Sequence, residues 1–147
     1  MDITVNKVDL LRELQYVQGV VERKTTVPIL SNLLLETSGN SLVITATDLD
    51  VTLQCECRAS IKVSGSVTVS SRKLFDIVRL LPEADIHFKS PSYEWVNLKC
   101  ERSRFKIAGL SKENFPDVPS VQGKSMKLPA AEMRALITRS IFAITQE

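Results

Sequence analysis

The sequence predicts an α+β fold built from two copies of one unit, in which a strand and a helix are followed by three strands. A short alternating stretch runs into an apolar helical pattern three times, with Val5, Val69 and Leu128 at equivalent positions. After each of the first two copies, alternating apolar and polar residues indicate three strands separated by turns. A repeated strand-helix unit indicates that each copy buries its apolar face against the next.

The first unit begins with an alternating strand over residues 2–5. Asn6 is a suitable N-cap, because its side chain can accept a hydrogen bond from a free amide of the first helical turn. Apolar residues at helical spacing then predict a helix, and they are Leu10, Leu11, Leu14, Val17 and Val21. We expect the three strands that follow to cover residues 29–36, 42–46 and 51–63.

The second unit repeats this order. Its first strand leads to Ser70 or Ser71, either of which can cap a helix that stops before Pro82. The three strands are predicted over residues 85–89, 93–100 and 103–108.

A linker is predicted after the second unit, because residues 111–124 contain two prolines and a glycine between patterned segments. We therefore expect a complete first domain over residues 1–120. Residues 121–147 are expected to hold a linker and then the first strand and helix of a truncated second domain.

The composition is that of an ordinary globular chain. Its 147 residues are 44% hydrophobic and 24% charged. A net charge of +2 does not identify a nucleic-acid partner, so any basic surface must be local. There is no apolar run of membrane-spanning length and no signal peptide at the start. These features predict a cytoplasmic protein, and three cysteines, an odd number, suit a reducing compartment.

Few residues are candidates for catalysis or metal binding. Cys55 and Cys57 lie in a predicted strand and are better explained as small buried residues than as half of a zinc site. Asp48 and Asp50 are more typical of a turn than of a metal site. His87 is the single histidine, and no nucleophile of a known local pattern accompanies it. We therefore predict no metal, no cofactor and no catalytic residue.

Basic residues gather near the predicted helices. Arg23 and Lys24 follow the first helix, Arg72 and Lys73 begin the second, and Arg79 lies further along it. The helices also carry acids, so a solvated charged face is the commoner explanation. A surface that contacts phosphates is the alternative.

Several segments, in matching order and spacing, resemble one family, the bacterial sliding clamp or beta subunit of DNA polymerase III. They cover residues 23–35, 45–50, 71–77, 80–82, 102–105 and 114–116. Two of them read Thr45-Ala46-Thr47-Asp48-Leu49-Asp50 and Ser71-Arg72-Lys73-Leu74-Phe75-Asp76-Ile77. The likeness extends from Met1 to about Gln146.

This resemblance implies a DNA-clamp domain with helices on one side and antiparallel sheets on the other. In the family, three such domains form a subunit, and two subunits join head to tail as a ring homodimer around duplex DNA. The ring is a non-catalytic processivity factor that tethers the replicative polymerase and contacts phosphates without reading bases. The regions that bind the polymerase and the clamp loader would lie beyond this chain. We therefore expect an N-terminal fragment that does not form the ring alone.

The resemblance also implies a DNA-binding role for basic residues, namely Arg23, Lys24, Arg72, Lys73 and Arg79. Lys24 stands where the family often has an arginine. A lysine keeps the positive charge but cannot form the bidentate hydrogen bonds of a guanidinium group.

A subunit interface is implied at the strand predicted over 103–108. Phe105 and Ile107 match its apolar positions, and Arg104 lies between them. We expect an edge strand that carries Phe105 and Ile107 on one face and Arg104 and Lys106 on the other.

Two other classes of protein are alternatives. One is a free-standing sheet-rich protein-interaction module, and the incomplete third unit argues against it. The other is a small enzyme, which the lack of a nucleophile and base in any known pattern argues against.

Overall fold

Eight antiparallel strands and two helices follow the element order predicted from the two sequence units. The computed structural model describes residues 1–21, 27–118, 123 and 126–144. The strands are β1 Asp2–Asn6, β2 Asn32–Ser38, β3 Ser41–Thr47, β4 Thr52–Val63, β5 Ser66–Ser70, β6 Asp85–Ser92, β7 Trp95–Cys100 and β8 Ser103–Leu110. The α-helices are α1 Lys7–Val17, α2 Ser71–Leu80 and α3 Ala130–Ser140, and short 3-10 helices cover Pro28–Ser31, Lys112–Asn114 and Ile141–Ala143.

The strands close on themselves in the order β1-β4-β3-β2-β5-β8-β7-β6. β4 is long enough to pair with β3 along its first half and with β1 along its second half. β8 pairs with β7 over most of its length, whereas only Gly109 and Leu110 pair with β5. A Cβ atom at Gly109 would lie 2.5 Å from the Tyr93 carbonyl oxygen, so this crossing requires glycine.

The core lies between the strands and two helices that pack on each other. α1 contacts β1, β3 and β4, while α2 contacts β2 and β5. The core is almost entirely aliphatic, and its largest fully buried side chains include Ile3, Leu10, Leu14, Leu33, Leu35, Ile44, Leu74, Ile86 and Phe88. Burial of this apolar surface is the main force that holds the strands and helices together.

The two helix N-termini differ in how they are capped. Asn6 accepts a hydrogen bond from the Val8 amide at 3.0 Å, as predicted. At α2, the side chain of Ser70 makes no capping bond. Ser71 is buried, and its hydroxyl accepts a 2.6 Å hydrogen bond from the side chain of Gln18, so it ties α1 to α2 instead.

Some element boundaries differ from the sequence prediction. The strand expected to begin at Ile29 starts at Asn32, because Pro28 opens a 3-10 turn that the Ser31 hydroxyl closes by donating to the Pro28 carbonyl at 2.7 Å. α1 ends at Val17, four residues earlier than its apolar stripe, although Val21 still packs against the core.

The first part of the predicted linker is folded onto the domain. Ser111 caps the short 3-10 helix, Lys112 forms a 2.7 Å ion pair with Glu36, and Phe115 is buried. The boundary predicted at residue 120 falls outside the described residues.

The third copy of the unit is only partly formed. α3 is present, but residues 126–129 are not a strand, contrary to the prediction. A strand needs a neighbour for its backbone hydrogen bonds, and none of the described strands lies beside this segment. Among the described residues, no helix is long and apolar enough to span a membrane.

Candidate functional site

The exposed surface of α2 carries three of the predicted DNA-binding residues, Arg72, Lys73 and Arg79. The Arg72 side chain is 91% exposed and its Nε lies 3.9 Å from the Asp76 carboxylate. Arg79 approaches the same carboxylate at 3.7 Å and lies 5.8 Å from the Phe75 ring centroid. Residues three and four positions apart share one helix face, so both arginines converge on Asp76.

These ion pairs do not prevent the arginines from meeting a ligand. Exposed pairs on a helix contribute little stability, because water screens them and two side chains must be ordered. A phosphate can therefore replace Asp76 as the partner of Arg72 or Arg79. Planar guanidinium groups match a phosphate with two hydrogen bonds.

The end of α1 lies beside the start of α2. A cavity of about 380 Å³ is lined from both sides, with Gln18 and Val21 after α1 and Arg72 and Phe75 from α2. Val21 is the last described residue before the segment that contains Arg23 and Lys24, two predicted DNA contacts that lie outside the described residues.

The acids considered as a metal pair form a turn, as predicted. Asp48 Oδ1 accepts hydrogen bonds from the backbone amides of Asp50 at 3.0 Å and Val51 at 2.6 Å. Leu49, between Asp48 and Asp50, adopts a positive φ of 82°. This is the local side-chain-to-backbone bonding that aspartates supply at turns.

Cys57 and Cys100 are buried, and Cys55 is half-buried against the core. Burial raises the pKa of Cys55 to about 11 and that of Cys57 to about 12, and the charge of Glu13 adds to both shifts. Thiols with such pKa values stay protonated at neutral pH and are poor nucleophiles and metal ligands. In the part of the chain that the structure describes, no three His, Cys, Asp or Glu residues are placed to hold a metal ion.

β8 has one open edge, as predicted. Ser103–Ala108 pairs with β7 on one side, and in the described structure no strand pairs with it on the other. Its outward side chains include Arg104 and Lys106. Phe105 is 39% exposed and can meet a partner.

Ile107, the other apolar residue of the predicted interface, is buried in this chain. Its side chain is only 4% exposed, because it points inward into the core formed by the closed sheet. Phe105, Arg104 and the backbone edge of β8 are the exposed parts of the predicted interface.

The fold is that of sliding clamps. The whole chain aligns with "Caulobacter crescentus pol III beta" at a TM-score of 0.93 and 37% identity, covering 40% of that chain. It aligns equally fully, at a TM-score of 0.92 and 37% identity, with 40% of a DNA polymerase III subunit beta sliding clamp from Pseudomonas aeruginosa bound to griselimycin.

The sequence identifies the family itself. Residues 1–119 match the family model described as DNA polymerase III beta subunit, N-terminal domain, and the chain belongs to that family. The beta sliding clamp of Pseudomonas putida is 39% identical over 150 residues, and that of Chlamydia pneumoniae is 31% identical over 148. The whole chain matches in both cases, and it spans about 40% of the length of these curated relatives.

A second basic surface was missed in the sequence analysis. It lies on the outer side of β6, β7 and β8 and includes Lys89, Lys99 and Lys106. Strand alternation predicts that each of these residues lies on the exposed face of its strand. Their closeness depends on the register between strands, which alternation does not predict.

Proposed function

We propose that this chain provides the first domain of a DNA sliding clamp, a non-catalytic processivity factor that encircles duplex DNA and tethers the replicative polymerase. The observation that carries this proposal is the family match over residues 1–119 together with the common fold. A ring that stays on DNA because it is closed around the duplex needs a rigid scaffold and weak phosphate contacts, and it needs no catalytic residues.

In the proposed arrangement, α1 and α2 lie on the DNA side of the domain and the sheets lie on the outer side. Arg23, Lys24, Arg72, Lys73 and Arg79 contact phosphates. The exposure of the arginines on α2 and their weak pairing with Asp76 support this role. Contacts of this kind carry no sequence information, so the domain can move along the duplex.

The proposed subunit contact uses the open edge of β8. An unpaired strand edge can accept a strand from another chain through backbone hydrogen bonds. Phe105 supplies an apolar contact and Arg104 a charged one at that edge. In the full-length protein this contact joins two subunits into the ring homodimer.

We further propose that residues 1–120 form a complete clamp domain and that residues 121–147 hold a linker and the beginning of a second clamp domain. The polymerase and the clamp loader bind through regions outside this chain. Cofactors are not required for this function, and its proposed location is the cytoplasm, where chromosome replication takes place.

A duplex-binding experiment tests the role of α2. Arg72→Gln combined with Lys73→Gln should weaken binding of a fluorescein-labelled duplex at low salt. If both side chains contact phosphates, the slope of log K against log salt should become shallower by about 1.8, since each contact contributes about 0.9. Fluorescence anisotropy measures both quantities.

A charge-matched control separates contact from net charge. Arg58→Gln combined with Lys127→Gln removes the same charge from two exposed positions outside α2, one on β4 and one in the segment before α3. This control should bind duplex within about twofold of the unchanged chain, because long-range field effects are small beside lost phosphate contacts. Equal weakening in both double variants would contradict a phosphate-binding role for α2.

A further inference from the structure

The outer side of β6, β7 and β8 is a positively charged face. Alternation turns Ile86, Phe88, Val96 and Leu98 into the core and leaves their neighbours outside. The exposed basic residues of this surface, which we name the outer basic face, are Lys89 on β6, Lys99 on β7, and Arg104 and Lys106 on β8.

Strand pairing brings these charges together in rows. Lys99 lies directly opposite Arg104, and Asn97 lies between Lys89 and Lys106. Neighbouring strands are about 4.8 Å apart. The backbones of Lys99 and Arg104 are therefore separated by one such spacing, and those of Lys89 and Lys106 by two. Like charges directly opposite each other destabilise a sheet. An anion bound over the Lys99–Arg104 pair would remove that repulsion.

Among the described residues, Lys99, Arg104 and Lys106 form no ion pair with a carboxylate, whereas Lys89 lies opposite Asp2 in the pairing of β1 with β6. By contrast, both arginines of α2 approach Asp76. In the described structure, Lys99, Arg104 and Lys106 are therefore less compensated than the arginines of α2.

Aromatic surface adjoins the outer basic face. Trp95 is 41% exposed, and the Lys106 ammonium lies 4.2 Å from its ring centroid. Tyr93, in the turn before β7, is 57% exposed. Surfaces that combine cations with an exposed aromatic ring bind single-stranded nucleic acids. The unpaired bases stack on the ring, and the cations neutralise the phosphate backbone.

We propose that the outer basic face binds single-stranded nucleic acid. Lys89 and Lys99 neutralise phosphates, and a base stacks on Trp95 after Lys106 moves from the ring to a phosphate. Arg104 is left to the proposed subunit contact. A duplex keeps its bases inside and leaves Trp95 unused, and an acidic peptide has no bases to stack on it. This activity is independent of the duplex contacts proposed for α2, because it uses the outer side of β6, β7 and β8 and not the exposed face of α2.

The chain contains its own reporter, since Trp95 is its single tryptophan. Titration of the 147-residue chain with an oligothymidylate of about 12 nucleotides, a length that one small sheet surface can cover, should quench Trp95 fluorescence to saturation. The quenching should weaken as salt is added.

A double variant tests the phosphate contacts. Lys89→Gln combined with Lys99→Gln should weaken oligothymidylate binding at least fivefold at low salt. It should also make the salt slope shallower by about 1.4, since each single-strand phosphate contact contributes about 0.7. The charge-matched control, Arg58→Gln with Lys127→Gln, should keep the affinity within about twofold.

The folded state of each variant is checked by thermal unfolding followed by circular dichroism. Lys99→Gln removes the repulsion from Arg104 and should not lower the unfolding temperature. If the double variant does not fold, the single variants Lys89→Gln and Lys99→Gln give the same test at half the change in slope, about 0.7 each.

Three outcomes would overturn the proposal. The first is the absence of saturable Trp95 quenching by oligothymidylate, and the second is an equal loss of affinity in the test and control variants. The third is stronger quenching by a polyglutamate peptide or by a duplex than by oligothymidylate at the same salt. Loss of duplex binding in the α2 variant with intact Trp95 quenching would leave this inference standing.

Discussion

His87 and Asp2 are joined by a 2.7 Å contact between the imidazole Nε2 and the carboxylate across the paired strands β1 and β6. This hydrogen bond lowers the pKa of Asp2, and the nearby charges of Lys89 and Lys62 add to the effect. The N-terminal ammonium of Met1 donates to the Ser90 carbonyl at 2.9 Å on the same pair of strands. The first strand is thus fastened to β6 by polar contacts at its beginning.

The Asp2–His87 pair predicts a pH dependence of stability. Because folding lowers the pKa of Asp2, its contribution is fully present above the ordinary carboxyl pKa and is lost as the pH falls through the lowered value. Asp2→Asn should lower the unfolding temperature slightly at neutral pH. The difference from the unchanged chain should vanish in strong acid, as thermal unfolding from pH 7 to pH 2 will measure. A difference that persists or grows in acid would contradict this assignment.

The open edge of β8 predicts self-association. An unpaired edge with an exposed aromatic side chain is a template for a second strand. We expect the sedimentation coefficient to rise with protein concentration and Phe105→Glu to reduce that rise. Leu80→Glu, at a residue 79% exposed on α2, is the control and should leave the association unchanged. A strict monomer at high concentration would rule out association through this edge.

α3 is expected to be the least protected helix. All of its residues are exposed, including an apolar stripe with Met133 41% and Leu136 62% exposed. An isolated helix of 11 residues is marginal in water without a packing partner. Hydrogen exchange followed by mass spectrometry should therefore show rapid exchange in α3 and slow exchange in α1 and α2. Equal protection in all three helices would mean that α3 is buried in solution.

The element order could be predicted from sequence because it depends on local periodicity. Alternation located the strands within a few residues, and helical spacing located α1 and α2. The turn at Asp48 and the cap at Asn6 were also predicted, since both depend on a side chain that bonds to backbone atoms two or three residues away.

Features that depend on distant residues could not be predicted in this way. The strand expected at 126–129 is absent because a strand requires a partner, which periodicity does not supply. Ile107 and Phe105 share one strand face, yet only the closed sheet shows that Ile107 is deep in the core. The outer basic face depends on the register of three strands, so Lys99 and Arg104 became neighbours only in the structure.

We propose that this domain belongs to a clamp that holds duplex DNA without reading its sequence. The most direct test of this proposal compares binding of the 147-residue chain to two duplexes of equal length and unrelated sequence, measured by anisotropy over a range of salt. We expect weak affinities that agree within about twofold and fall with equal slopes, since only phosphates are contacted. Tight binding to one of the two sequences at physiological salt would contradict it.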